Sequence, residues 1–211
     1  GRPDGFPDPP EAADRCRDAR LRPARNREFH EPTCSLDHSM RPHFQNVLDS
    51  LGVIHNLACF EPMVIGTPPL EIDVATSDID VACTAQNLET FRAKVTALCG
   101  HHDSYLIGPA RHVSSPALRA QFHKSGWEVE LFCQSLPITE QNGVRHFSIE
   151  QRLLGLEPTM SPEIRRLKNS GLKTEPAFAQ VLGLEGDPYD ALLALENFSD
   201  AQIVALLVSE T

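Results

Sequence analysis

Residues 66–83 read GTPPLEIDVATSDIDVAC, and the Asp-Ile-Asp near its end decides how the rest of the chain is read. Asp78 and Asp80 alternate with Ile79 and Val81. A period of two is that of a strand, so both carboxylates are expected on one side of it. Like charges so placed repel unless a positive group stands between them.

A second strand offers more of the same chemistry. In WEVELFC, residues 127–133, Glu128 and Glu130 fall on one face while Val129, Leu131 and Cys133 fall on the other. With the two strands as neighbours, Asp78, Asp80 and one of the glutamates converge outside the sheet. Three such oxygen donors suit a hard divalent cation, and magnesium is the natural candidate because it combines one or two carboxylates with substrate phosphates. Gly66-Thr67 supplies the phosphate side, since a glycine at a strand end admits close backbone approach and free N–H groups beside a hydroxyl cradle phosphate oxygens. The residues alone leave a second account open, in which Asp78 caps a turn after Ser77 and Asp80 is a solvated edge residue.

Outward from this stretch the chain is periodic from about residue 39. MRPHFQNVLDSLG predicts a helix with Phe44, Val47, Leu48 and Leu51 on one face and Gly52 at its end. FEPMVIGT and SDIDVACT predict strands, and NLETFRAKVTALCG a helix with Leu88, Phe91, Val95 and Leu98 on one stripe. SYLIG, LRAQFH and WEVELFC predict further strands, the last two joined by a tight turn at Gly126. After residue 145 every segment has helical spacing, with Ser161-Pro162 and Ser199 as N-terminal signals. The expected class is α+β: a helix, a small sheet with one embedded helix, then a helical C-terminal half.

Residues 1–34 differ in composition, holding six prolines, seven arginines and seven acidic residues with little that is apolar. Such a segment cannot bury enough surface to offset chain entropy, so residues 1–36 are expected to be a disordered leader. Residues 37–211 are then one domain, with a sheet core over 37–140 and a helical part over 141–211. The chain has 211 residues and a formal charge of −10, which argues against a broad nucleic-acid surface. No apolar run is long enough to span a membrane and no secretory signal is visible, so a cytoplasmic location is expected. The six cysteines form no Cys-x-x-Cys pair and read as buried or incidental thiols.

Ile65, Gly66 and Thr67, ten intervening residues, then Asp78, Ile79, Asp80 and Val81 resemble the pattern of the nucleotidyltransferase superfamily. More closely, the chain resembles a bacterial family known as domain of unknown function 4269. The matching blocks are GTPPLEIDVATSDIDVAC, VELFCQSLPITEQNGVRHFSIEQRLL and LKNSGLKTEPAFAQVLGLEGDPYDALL, within residues 55–195. The resemblance implies a small mixed sheet flanked by helices, with Asp78, Asp80 and Glu130 as catalytic metal ligands; Glu130 is favoured over Glu128 because it holds the acid position of Glu-Leu-Phe. Gly66 and Thr67 would face the triphosphate, with Ser77, Arg145, His146 and Lys173 completing the nucleotide-binding set. The implied cofactor is Mg2+ or Mn2+, two ions when a nucleoside triphosphate is bound. The implied reaction moves a nucleoside monophosphate to an unidentified acceptor hydroxyl, on a protein, an RNA end or a small molecule, and releases pyrophosphate. The chain departs from the pattern at Thr67, where the superfamily has Gly or Ser, and at Glu71, where the closer family is expected to have Gly and a carboxylate now enters the loop beside the phosphates.

Other positions carry two readings each. His146 contacts a phosphate or orients an acceptor, or else is a polar helix-terminal residue. Lys173 is a point charge for a phosphate, or part of an ordinary helix start. Lys168 and Arg165 read as a solvated helix face, His101-His102-Asp103 as surface, and Trp127 as packing. A competing function is a catalytically inactive nucleotide-binding or regulatory module, motivated by Glu71, or a toxin–antitoxin component.

Overall fold

The computed structural model describes residues 41–111 and 115–209; the expected leader, with Cys16 and Cys34, lies outside them. Helix α1 (Phe44–Leu51) buries Val47, Leu48 and Leu51 and stops at Gly52, whose φ of 62° is the left-handed value that favours glycine. A short helix α2 (Val53–Asn56) follows. Then come strand β1 (Met63–Ile65), strand β2 (Ile79–Thr84) and helix α3 (Leu88–Cys99), whose first N–H groups are capped by the Asn87 side chain.

Strands β3 (Asp103–Pro109), β4 (Ala117–Lys124) and β5 (Trp127–Gln134) form a meander. The β4–β5 turn is Ser125-Gly126, with φ of 52° and 81°, the two positive values of a hairpin turn matched to strand twist. The sheet order is β1-β2-β5-β4-β3. All neighbours are antiparallel except β2 and β5, which run parallel. A parallel pair needs a crossover, here supplied by α3 and the β3–β4 hairpin.

Along β5, Trp127, Val129, Leu131 and Cys133 are buried while Glu128, Glu130 and Phe132 alternate with them, half-buried on the opposite face. The buried face joins Val47 and Leu48 of α1 and Phe91 and Val95 of α3 in one core. Each of those side chains contributes about 1.5–3 kcal/mol by leaving water. Cys83, Cys99 and Cys133 are buried free thiols, and Cys59 is an exposed one. His102, of the pair read as surface, stacks on Phe122 with ring centroids 5.1 Å apart.

The C-terminal half comprises α4 (Asn142–Leu156), α5 (Ser161–Asn169), α6 (Thr174–Val181), α7 (Pro188–Ala194) and α8 (Asp200–Ser209). These helices share a second core around Leu153, Ile164, Phe178, Leu192 and Ile203. Ile72, from the loop between β1 and β2, is fully buried in that core and ties the loop to the helices. Ser199 signals α8 as expected: it accepts from Gln202 N at 3.3 Å, and its own N–H donates to Gln202 Oε1 at 2.8 Å. Ser161 instead lies inside α5, which has no side-chain cap. The mixed five-stranded sheet with flanking helices is the expected α+β arrangement. Among the described residues no helix is long and apolar enough to cross a membrane.

The departure at Glu71 has a backbone meaning. A single 3-10 turn, Pro68–Leu70, ends on Glu71 with φ 58°, a region where a Cβ is strained and glycine is not. Its carbonyl accepts a bond from the Arg165 guanidinium, so Arg165 is not simply the solvated residue expected. Replacing Glu71 by Gly relieves the strain and returns part of the gain as unfolded-state entropy. Glu71→Gly is expected to raise stability by about 0.5–1 kcal/mol, which thermal denaturation would register as an increase of about 2 °C.

Candidate functional site

The β2–β5 pairing places Asp80 directly beside Glu130. Side chains in register on neighbouring parallel strands leave the same face, with the backbones about 4.8 Å apart. Asp78 precedes β2 by one residue, and all three carboxylates line one cleft of about 720 Å³. Glu128 is not among its lining residues, though its charge still acts on Asp80 and Glu130.

The electrostatic cost of this grouping is visible in the acids. Burial first, then the charges of Asp78, Glu130, Glu128 and Glu175, holds Asp80 well above the usual carboxylate range. Burial also raises Glu130, against the opposing pull of Arg119, whose guanidinium is 3.5 Å away. Among the described residues no three His, Cys, Asp or Glu side chains stand close enough to make a ready cation site. Burial first and the neighbouring acids after it disfavour ionisation of Asp80 and Glu130, and a cation between them would relieve that cost. The donor set, all carboxylate oxygen, fits a hard divalent ion and not a soft one.

The β1 end of the cleft is shaped around Asp80. Gly66 has φ 78°, and a Cβ there would lie 2.5 Å from Asp80 Oδ2, so the backbone turn and the carboxylate occupy adjoining space. The next residue, Thr67, is 6 % exposed, and its hydroxyl donates to Ser77 Oγ at 3.1 Å. Ser77 Oγ in turn accepts from Val74 N at 2.9 Å. Thr67 and Ser77 therefore brace the two ends of the loop that separates Gly66 from Asp78, which explains why a hydroxyl suits a position where Gly or Ser was expected.

The helical half supplies the facing wall. His146 and Lys173 line the cleft, but Arg145 does not. Its guanidinium is held by Glu196, with Nε 2.9 Å from Oε1, and by Asn142 Oδ1 at 3.1 Å. Arg145 and His146 are adjacent on α4 and so point about 100° apart, and here His146 faces the cleft while Arg145 turns to Glu196. Burial lowers the His146 pKa. His146 Nδ1 and Gln141 Oε1 are buried without a hydrogen-bond partner among the described residues. Glu71 is exposed and does not line the cleft, so the expected intrusion of its carboxylate beside the phosphates does not occur.

Sequence reasoning missed four charged lining residues, Arg119, Glu150, Lys168 and Glu175. Lys168, read as solvated, is half-buried and donates to Thr174 Oγ1 at 2.9 Å. Burial lowers its pKa while the charges of Glu150, Asp78, Glu175 and Asp73 oppose the shift. Helical spacing held the signal: Lys168 is four residues past the buried Ile164, and Glu150 is four past His146.

With an acidic cleft on a mixed α+β sheet established, comparison with known proteins assigns the family. The profile of the family described as domain of unknown function (DUF4269) matches residues 46–195, and the chain belongs to that family. No curated protein matches the sequence. A structure of the Cid1 poly(U) polymerase with MgGTP bound is similar over 66 % of this chain and 47 % of its own, at 11 % identity and a TM-score of 0.48. The GLD-2/RNP-8 complex is similar over 81 % of this chain and 76 % of its own, at 11 % identity and a TM-score of 0.47. This chain thus spans about half the length of the Cid1 polymerase it matches.

Two outcomes follow from the geometry. Gly66→Ala forces a side chain into both the left-handed region and the space of Asp80; urea denaturation should show a loss of about 1–3 kcal/mol. Glu150 is 3 % exposed, and burial together with Glu175 raises its pKa well above the ordinary 4.5. A carboxyl raised on folding adds its stability below the unfolded value and loses it as pH rises toward the folded one. Glu150→Gln should therefore match the wild type in thermal midpoint at acid pH and exceed it increasingly as pH rises above the ordinary carboxyl value of 4.5.

Proposed function

We propose that this chain is a metal-dependent nucleotidyltransferase that moves a nucleoside monophosphate from a triphosphate to an acceptor hydroxyl. The observation that carries the reading is the register of Asp80 beside Glu130, with Asp78 at the mouth of the same strand and the Gly66 turn packed against Asp80. The distant likeness to polymerases adds nothing to it.

Asp78, Asp80 and Glu130 would hold Mg2+ or Mn2+, two ions when the triphosphate is bound. Such ions supply charge neutralisation at the phosphates and activation of the attacking oxygen. The chain's own part is to bind and orient. The Gly66 turn admits a phosphate group against its backbone, braced by Thr67 and Ser77 from behind. Lys168 and Lys173, which line the cleft from the helical half, would meet the outer phosphates. His146 lacks the charge to hold a phosphate once burial keeps it neutral, and reads instead as a contact for an uncharged part of nucleotide or acceptor. In the reaction the acceptor oxygen bonds to the α-phosphorus, the bond from that phosphorus to pyrophosphate breaks, and a cleft carboxylate takes the acceptor's proton.

The test is incubation with α-labelled nucleoside triphosphates, Mg2+ and a panel of protein, RNA and small-molecule acceptors. Wild type should transfer label and release pyrophosphate. The Asp78→Ala/Asp80→Ala double variant should lose roughly 100-fold or more of that activity. Transfer that survives the double substitution would overturn the assignment.

A further inference from the structure

Arg41 lies outside the cleft, yet it touches both elements that carry the acids. Its Nη1 donates to Ser77 O at 2.9 Å and its Nη2 to Val74 O at 2.9 Å. Both carbonyls belong to the loop that ends at Asp78. The same Nη2 is 3.7 Å from the Asp73 carboxylate. On its other side the guanidinium carbon lies 3.6 Å from the centroid of the Trp127 ring. Trp127 is the first residue of β5, three before Glu130, and its own Nε1 donates to Pro42 O at 2.9 Å. The Arg41 side chain is 14 % exposed.

One planar group thus bridges the loop before Asp78 and the start of the strand bearing Glu130. The geometry suits arginine specifically. Its rigid fork spans two carbonyls at once, and its flat face stacks on an indole, which a lysine ammonium cannot do together. Trp127, 3 % exposed, also belongs to the sheet core, so the Arg41 guanidinium covers one face of a ring whose remainder packs there. What the bridge adds is a side-chain tie between the loop and the start of β5, beyond the β2–β5 ladder that begins at Ile79 beside Val129.

We propose that Arg41 is a positioning residue that sets Asp78 relative to Glu130, so that the affinity of the cleft for divalent cations depends on it. The inference rests on the nucleotidyltransferase reading, since it takes those two acids as ligands of one site. Residues that orient metal ligands from behind typically change metal affinity by roughly 10- to 100-fold when replaced.

The experiment is calorimetric titration of the full chain with Mn2+ in the presence of a nonhydrolysable triphosphate analogue, alongside a thermal midpoint for each variant. Wild type should bind and Asp78→Asn should bind far more weakly. Arg41→Gln should weaken Mn2+ binding roughly 10- to 100-fold, and Arg41→Lys, keeping the charge without the fork or the stack, should fall between. Val47→Ala, a core deletion in α1 that removes no atom of the Arg41 bridge, controls for lost stability and should keep wild-type affinity. Should Arg41→Gln not fold, Arg41→Lys carries the comparison. Wild-type affinity in both Arg41 variants, or a loss no greater than in Val47→Ala at a matched midpoint, overturns the proposal and leaves the site reading standing. Equal Mn2+ binding by wild type and Asp78→Asn removes the site reading, and the proposal falls with it.

Discussion

The structure turns on the parallel pairing of β2 with β5. It sets Asp80 against Glu130 in register, and because strand faces alternate, the same register sends Ile79, Val81, Val129 and Leu131 into the core. A slip of one residue on either strand would bury a carboxylate among Phe91 and Val95 and expose the apolar set. Hydrophobic burial therefore enforces what electrostatics opposes. The opposition is real, as the raised pKa of both acids records, but burial of eight or more apolar side chains at about 1.5–3 kcal/mol each exceeds it.

Other features follow from that pairing. Parallel neighbours demand a long crossover, so α3 and the β3–β4 hairpin intervene between two strands whose acids lie side by side. The Gly66 turn must pass close to Asp80, which only a residue without a Cβ allows. The loop between Gly66 and Asp78 is fastened at four points: the Thr67–Ser77 hydroxyl pair within it, the Arg165 guanidinium on the Glu71 carbonyl, Ile72 buried in the helical core, and Arg41 over Trp127. Together they leave Asp78 little freedom.

What the sequence made legible was whatever is periodic. The alternation in SDIDVACT and WEVELFC foretold the faces of β2 and β5, and the apolar stripes foretold the helices, because both signals are local. Contacts made across the chain were not legible. Nothing local tells that Arg145 turns to Glu196 while His146 turns inward, since the partner lies 51 residues away. Lys168 was misread because a charged residue on an amphipathic helix is usually solvated; its place four residues after Ile164 was the better guide. Arg41 carried no signal at all, because a stack on Trp127 and two bonds to backbone carbonyls have no sequence period.

The charge of the cleft bears on which ligand it suits. Asp78, Asp80, Glu130, Glu150 and Glu175 line it against Arg119, Lys168 and Lys173. On the proposed reading, divalent cations arriving with the triphosphate would offset the repulsion from whichever of these carboxylates are ionised, burial holding Asp80 and Glu150 well above the usual carboxylate range. An inactive module has two motives, the lack of a visible acceptor-specific domain in the sequence and the Glu71 carboxylate; of these the second weakens, because Glu71 sits outside the cleft in a left-handed backbone conformation. A glycine at that position, as expected from the resemblance, would serve the turn and not an open phosphate pocket, and the glutamate found there takes the left-handed conformation outside the cleft.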